Sequence, residues 1–365
     1  MISGVWPMPT PSDSIEPVVV GLADFHLPAI PEPPDGVVLR HDVWLLPGAN
    51  GLYDAAGTPI VESFLRRGFD LGHYPHGRPE PVDGAALSVT STGKELARVV
   101  YVPYAAMTHF GHMLTEFAGN LGSFLECPDG LDRIGGIESV LVVPPRAASS
   151  ITALSELLSL PANRLFSTAS LAKPVRVLHA VIPRPSMMNR HGLARRHFGH
   201  VRRLLSRLYG VDAQLAALEN DDRGEKLYLS RSQLADDARH IEGEEHLERD
   251  LKGLGWRIVY PEQLSLADQL GCLAAARTIA GGVGSALHLL MAFGESFGRR
   301  RLVSLGQSAD LSNPNVALQA ARQGLPFRHL VCMDRDPASK KDLRLLASTA
   351  RVAACLEALA ADHSW

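Results

Sequence analysis

Cysteine is scarce and scattered. Cys127, Cys272, Cys332 and Cys355 stand far apart with no C-x-x-C pair, which speaks against a disulfide framework and against a zinc ribbon. A reducing cytoplasm is the simplest setting for such a chain. Charge of one sign is missing too: the formal net charge is -3, so any attraction to nucleic acid or to anionic lipid has to be local. The opening MISGVWPMPTPSDS has no basic stretch followed by an apolar one, and no signal peptide is expected. Residues 278–294 are free of Asp, Glu, Lys and Arg, but the stretch is short for a membrane span and carries His288 and a glycine cluster. Several catalytic signatures are absent: H-E-x-x-H, the G-x-S-x-G elbow, a Walker loop with its lysine, and G-x-G-x-x-G after Gly282.

What remains describes a globular protein. Hydrophobic residues make up 46% and charged residues 21% of the 365, a balance unlike that of disordered or fibrous chains, and the length favours two domains. The pattern centres on RTIAGGVGSALHLLMAFG, residues 277–294. Thr278, Ile279 and Ala280 form a short apolar strand, and Gly281, Gly282 and Gly284 let the backbone bend and approach a ligand. Ser285 is placed to cap a helix on which Leu287, Leu290 and Met291 recur. Such a helix turns unpaired N–H groups and its positive dipole end toward the turn, a setting for a phosphate.

Eight prolines fall within the first 35 residues, which disfavours helix and central strand and implies an extended arm over the first domain. RVVYVPY (98–104) reads as a strand leading into HFGHMLTEFAGNLGSFLE (109–126). There Phe110, Leu114, Phe117, Leu121 and Phe124 step by four and three into one apolar stripe, while His109, His112 and Glu116 gather on the opposite face. That face presents two imidazoles and a carboxylate to solvent or to a cleft. The same pattern suits a solvated helix with an i,i+4 His–Glu contact, and zinc would need a third ligand. Strands at 139–143 and 175–182 flank a helix at 150–160, the alternation of a parallel sheet with crossover helices. RHGLARRHFGHVRRLLSRL (190–208) reads as a basic interdomain helix. Ala194, Phe198, Val201, Leu205 and Leu208 make its apolar face, and six arginines and three histidines crowd the rest as a solvated face or a surface for anionic lipid or acidic glycan.

After the polar turn NDDRG (220–224), strand and helix signals alternate: KLYLSR (226–231), a helix at 244–254 stopped by Gly255, WRIVY (256–260) followed by Pro261 and Glu262, a helix capped by Ser265, then the strand of the glycine turn. Ligands in such sheets sit outside the carboxyl ends of the strands, where Arg231, Glu262 and the 282–285 turn all fall. The tail adds a strand at 327–333 and a helix at about 339–361. Asp334 and Asp336 follow that strand as the carboxylate pair of a metal-dependent transferase would.

Taken together, HFGHMLTE (109–116), KLYLSR followed by RHIEGE (226–244) and YPEQLSLADQLGCLAAARTIAGGVGSALH (260–288) resemble glycosyltransferase family 61, whose bacterial members serve capsular and other surface polysaccharide synthesis. The resemblance implies an α/β fold of GT-B type, with two Rossmann-like domains facing across a cleft and a C-terminal helix. The expected parts are a proline-rich arm (1–35), an acceptor-side domain (36–189), the basic interdomain helix and linker (190–221), a nucleotide-sugar domain (222–335) and the C-terminal helix (336–365). It implies inverting, metal-independent transfer from a nucleotide-sugar donor to a glycan or lipid-linked glycan, with no other cofactor and no nucleic acid. The setting is cytoplasmic, with peripheral association at the inner membrane face or with other polysaccharide enzymes. His112 is then the general base, oriented by Glu116 or His109. Arg231, Ser232, Arg239, Glu262, Gly282, Gly284, Ser285, Ala286 and His288 are the donor contacts, and no residue is assigned to a metal. The sequence departs from many members at Val283, where they carry His, at His288 and Leu289, where they carry Thr-Asn, and at Gly243, where they carry Asn. A non-catalytic nucleotide-sugar or glycan-binding subunit would keep the donor contacts and need no base.

Overall fold

The apolar runs that read as strands pair into two six-stranded sheets, one in each of two units. The computed structural model describes residues 16–21, 36–68, 70–90, 93, 95–107, 109–126, 129–136, 138–218, 221, 223–234, 241–297, 300–307, 314–335, 343–345, 347–362 and 364. One unit comprises Pro28–Asp212 with Met291–Gly294, and the other Met1–Leu27, Ala213–Leu290 and Glu295–Trp365.

In the Pro28–Asp212 unit the strand order is Leu52–Tyr53, Val37–Leu45, Val175–Pro183, Glu95–Tyr101, Val140–Val143, Leu165–Ser167. The last four run parallel, and Val37–Leu45 pairs antiparallel with Val175–Pro183. After Glu95–Tyr101 comes one continuous helical stretch of three pieces, Phe110–His112, a π turn over Met113–Phe117, and Ala118–Leu125. The π turn carries its i−5 bond from Ala118 N to Met113 O. Thr115 Oγ1 donates to Gly111 O at 2.8 Å and Asn120 Nδ2 to Glu116 O at 2.7 Å, so two side chains supplement the ladder on either side of the widened turn.

From Met113 to Gly122 this stretch is buried on every side, whereas an outward face at Glu116 was the expectation from its apolar stripe. A second helix, Arg196–Tyr209, packs on Ala118–Leu125. At the contact a Cβ on Gly122 would overlap the His200 ring. This helix starts later than the sequence suggests. Met187–Met188 and Gly192–Leu193 form a small hairpin first, turned by Arg190 at φ 63°. Two of its histidines point inward: His197 and His200 are 0% and 2% exposed, with their Nδ1 atoms 2.9 and 2.8 Å from Ser186 Oγ. The helix belongs to this unit rather than to a linker.

The other unit's sheet runs Val18–Gly21, Phe327–Val331, Arg301–Gly306, Ala276–Gly282, Glu225–Leu229, Arg257–Val259. Its five parallel strands stand in chain order 2-1-3-4-5, so the winding reverses between Glu225–Leu229 and Ala276–Gly282, the place where sheets of this kind open a crevice for ligands. Arg301–Gly306 is buried at every residue, as expected of a strand covered on both faces. Val18–Gly21 pairs antiparallel with Phe327–Val331 at the sheet edge. This part of the arm therefore lies on the second unit rather than over the first, and the edge tolerates the neighbouring Pro17. Helix Leu266–Ala275 starts as expected, with Ser265 Oγ accepting from Asp268 N at 3.1 Å. Helix Glu244–Gly253 buries Leu247 and Leu251 against Val352 and Leu356 of Thr349–Ala361. That last helix is shorter than the apolar spacing suggested. Leu343–Leu345 is a strand, with Leu345 buried, in a small sheet with Ile241–Glu242 and Met333–Arg335. Among the described residues no helix is long and apolar enough to cross a membrane.

Candidate active site

The helical stretch at Phe110 carries the first cluster. Glu116 is 1% exposed, and burial without partners would raise its pKa. Arg67 removes that problem: its Nε donates to Glu116 Oε1 at 2.5 Å and its Nη2 to Oε2 at 2.6 Å, a bidentate fork. His112 Nδ1 lies 3.0 Å from Oε2 and Asn189 Nδ2 donates to Oε1 at 3.3 Å. Burial pushes the carboxyl up, but the bonds from His112 and Arg67 and the Arg67 charge prevail and hold it at about 2. An ionised carboxylate can only accept, so Nδ1 of His112 carries a proton and Nε2 is left as the basic nitrogen. His109 is exposed, its ring 6.0 Å from that of His112, and the Tyr104 ring is 6.4 Å away. Burial, then the Glu116 charge, pushes the Tyr104 phenol up to about 12.

The structure thus joins His112 and Glu116, keeps His109 within a ring's distance, and adds Arg67. Arg67 was missed because it lies 49 residues from Glu116 in a stretch with no helical or strand periodicity. A pocket adjoins this cluster, with Glu116, Asn120, Asn189, Phe64, Ile182 and Met187 among its lining residues.

The second cluster lies where the winding of the parallel sheet reverses. Arg231 follows strand Glu225–Leu229, and its Nη2 donates to Val283 O at 2.7 Å and to Gly282 O at 3.3 Å. The guanidinium therefore lies against the turn after Ala276–Gly282. A Cβ on Gly284, whose φ of 168° is ordinary extended backbone, would overlap Arg231 Nη2, so the missing side chain is what lets the guanidinium lie in this position. Gly284, not Ser285, holds the cap position, and Ser285 is the exposed first residue of the short helix Ser285–His288. Ala286 is half-buried behind it. His288 is buried, with Nδ1 3.1 Å from Gln319 Oε1, so its ring packs inside while the turn itself faces out. Glu262 is exposed in the turn Pro261–Gln263 that follows strand Arg257–Val259. Arg239 and Asp336 lie outside the described residues, as does the side chain of Asp334.

Two glutamates of helix Glu244–Gly253 were not foreseen. Glu244, 1% exposed, accepts from Tyr228 Oη at 2.8 Å and from Arg231 N at 3.1 Å. Glu248, 4% exposed, accepts from Ser230 Oγ at 2.6 Å, Ser232 Oγ at 2.5 Å and Tyr260 Oη at 2.6 Å. Burial pushes Glu244 up to about 7. At Glu248 burial is outweighed by the three hydroxyls, which hold it below the usual carboxylate range. The helix thus fixes the 230–232 loop, and through Arg231 the glycine turn. Spacing four apart beside Leu247 and Leu251 was the available signal, since it puts both carboxylates near the buried face. Gly243, at φ 87°, begins this helix in the left-handed region. Asn is the other residue that enters that region readily, so an Asn-to-Gly exchange there preserves the backbone. Among the described residues no group of three or more His, Cys, Asp or Glu is placed to hold a metal.

A family model described as Glycosyltransferase 61 matches residues 110–296, just over half of the chain, a range that holds His112, Glu116 and the second cluster while Arg67 and His109 precede it. No curated protein matches the sequence.

Proposed function

The chain belongs to glycosyltransferase family 61, and from that premise we propose that it transfers a sugar from a nucleotide-sugar donor to a glycan hydroxyl with inversion and without a metal, in surface polysaccharide synthesis. The observation that carries this is the dyad of His112 Nδ1 and Glu116 Oε2 at 3.0 Å, with Arg67 holding the carboxylate ionised. In the reaction His112 Nε2 takes the proton of the acceptor hydroxyl as its oxygen bonds to the anomeric carbon. The bond from that carbon to the donor diphosphate breaks on the opposite side, which inverts the centre. Arg231 and the N–H groups of Gly284 and Ser285 meet the charge that gathers on the departing diphosphate. Ser232 and Glu262, at strand ends of the same sheet, are the polar groups offered to the nucleoside.

The reading is tested by thermal unfolding with UDP, GDP, ADP and CMP in EDTA. A nucleotide at about a hundred times its Kd contributes about 2.7 kcal/mol, a rise of several degrees in Tm. Stabilisation by one of the four in EDTA is the expected result. No shift with any, or a shift that requires manganese, overturns the metal-free donor reading.

A further inference from the structure

The pocket beside Glu116 has a charge balance that its surroundings do not explain. Four of its lining residues are charged: Glu62, Arg66, Glu116 and Arg184. Glu62 is paired with Arg40 at 2.6 Å and Glu116 with Arg67. Among the described residues Arg66 and Arg184 have no acidic partner. The chain as a whole has 36 basic and 39 acidic residues, so a local surplus of cations is not a by-product of composition.

The floor is polar and fixed. Asn120 is 4% exposed and spends its Nδ2 on Glu116 O. Among the described residues its Oδ1 has no partner, and Asn120 lines the pocket, which leaves an acceptor there for a ligand hydroxyl. Asn189 stands beside it, 7% exposed. The apolar part of the wall, Phe64, Ile182 and Met187 among it, suits the C–H face of a pyranose ring.

We propose that this pocket is an acceptor subsite for an anionic sugar, a uronate or a phosphorylated sugar, whose charge meets Arg66 and Arg184 and whose hydroxyls meet Asn120. This rests on the transfer reading only in naming the ligand as acceptor. Glu116 is common to the pocket wall and to the bond with His112, so a sugar held there lies beside the carboxylate of the dyad.

The probes are methyl β-D-glucuronide, glucose 1-phosphate and methyl β-D-glucoside, titrated calorimetrically against the full chain at low salt. One charged probe is expected to bind at least tenfold more tightly than the glucoside, and which one does so tells carboxylate from phosphate. R66A/R184A is expected to bring the three within about twofold of one another, while N120A, which also removes the bond to Glu116 O and so lowers Tm, weakens all three alike in the protein that remains folded. The proposal is overturned if the glucoside binds as tightly as both charged sugars, if none of the three saturates, or if R66A/R184A keeps the preference while remaining folded. The nucleotide panel separates the two ideas. Charged-sugar binding without nucleotide stabilisation leaves the subsite and removes the donor reading, and the reverse result leaves the donor reading and removes the subsite.

Discussion

Glu116 and Glu244 are both 1% exposed, yet they titrate in opposite directions because of what surrounds them. Glu116 has a bidentate guanidinium and an imidazole, so its carboxylate is stable down to about pH 2. Removing Arg67 leaves a buried carboxylate without its charge partner, and Arg67→Ala is expected to cost about 3 to 5 kcal/mol in denaturant unfolding at neutral pH. A loss below 1 kcal/mol would mean that water replaces the guanidinium. Glu244 has a phenol and a peptide N–H, and burial prevails, lifting it to about 7. From its ordinary value of 4.5 up to about 7 the unfolded chain releases this proton while the folded chain keeps it. Stability therefore falls as pH rises through that window. Glu244→Gln cannot titrate, so its loss of stability between pH 5 and pH 7.5 should be smaller than that of the parent chain. Equal slopes would place Glu244 at an ordinary value.

At the scale of elements, the strand, glycine turn and short helix at 276–288 were legible because apolar runs and glycines mark them directly. The succession of strands 225–229, 257–259 and 276–282 was legible in alternating signals, as was the place of Arg231 and the turn at strand ends, whereas their order in the sheet, which sets Arg231 against the turn, was not. The buried face of the stretch at Met113–Phe117 was not legible. A single apolar stripe says which side is covered by one neighbour, and here the Arg67 segment and helix Arg196–Tyr209 cover more than that side. Nor could the pattern tell that His197 and His200 face inward, since imidazole counts as polar until a hydroxyl such as Ser186 satisfies it. The contact between Ala118–Leu125 and Arg196–Tyr209 depends on Gly122, where a methyl group would meet a His200 ring held on one side by Ser186 and on the other by Glu126. Gly122→Ala is expected to cost about 1 to 3 kcal/mol by overpacking, read as a lower denaturation midpoint at unchanged m-value. An unchanged midpoint would show that the ring moves freely.

For the whole molecule, the proposed reaction is divided between two sets of residues: His112, Glu116 and Arg67, joined by hydrogen bonds, are proposed to handle the acceptor proton, and Arg231 with the Gly282–Ser285 turn it lies against the donor diphosphate. Family membership establishes that the chain is a glycosyltransferase, and this division is the proposal made for it. The two sets fail differently when removed. The most direct test compares His112→Ala with Arg231→Ala, reading nucleoside diphosphate affinity by calorimetry and donor turnover by release of the diphosphate. His112→Ala should keep nucleotide affinity and lose about a hundredfold or more in turnover, whereas Arg231→Ala should weaken nucleotide binding by about 1.5 to 3 kcal/mol with turnover falling as well. Full turnover in His112→Ala, or unchanged nucleotide affinity in Arg231→Ala, would contradict the division of labour.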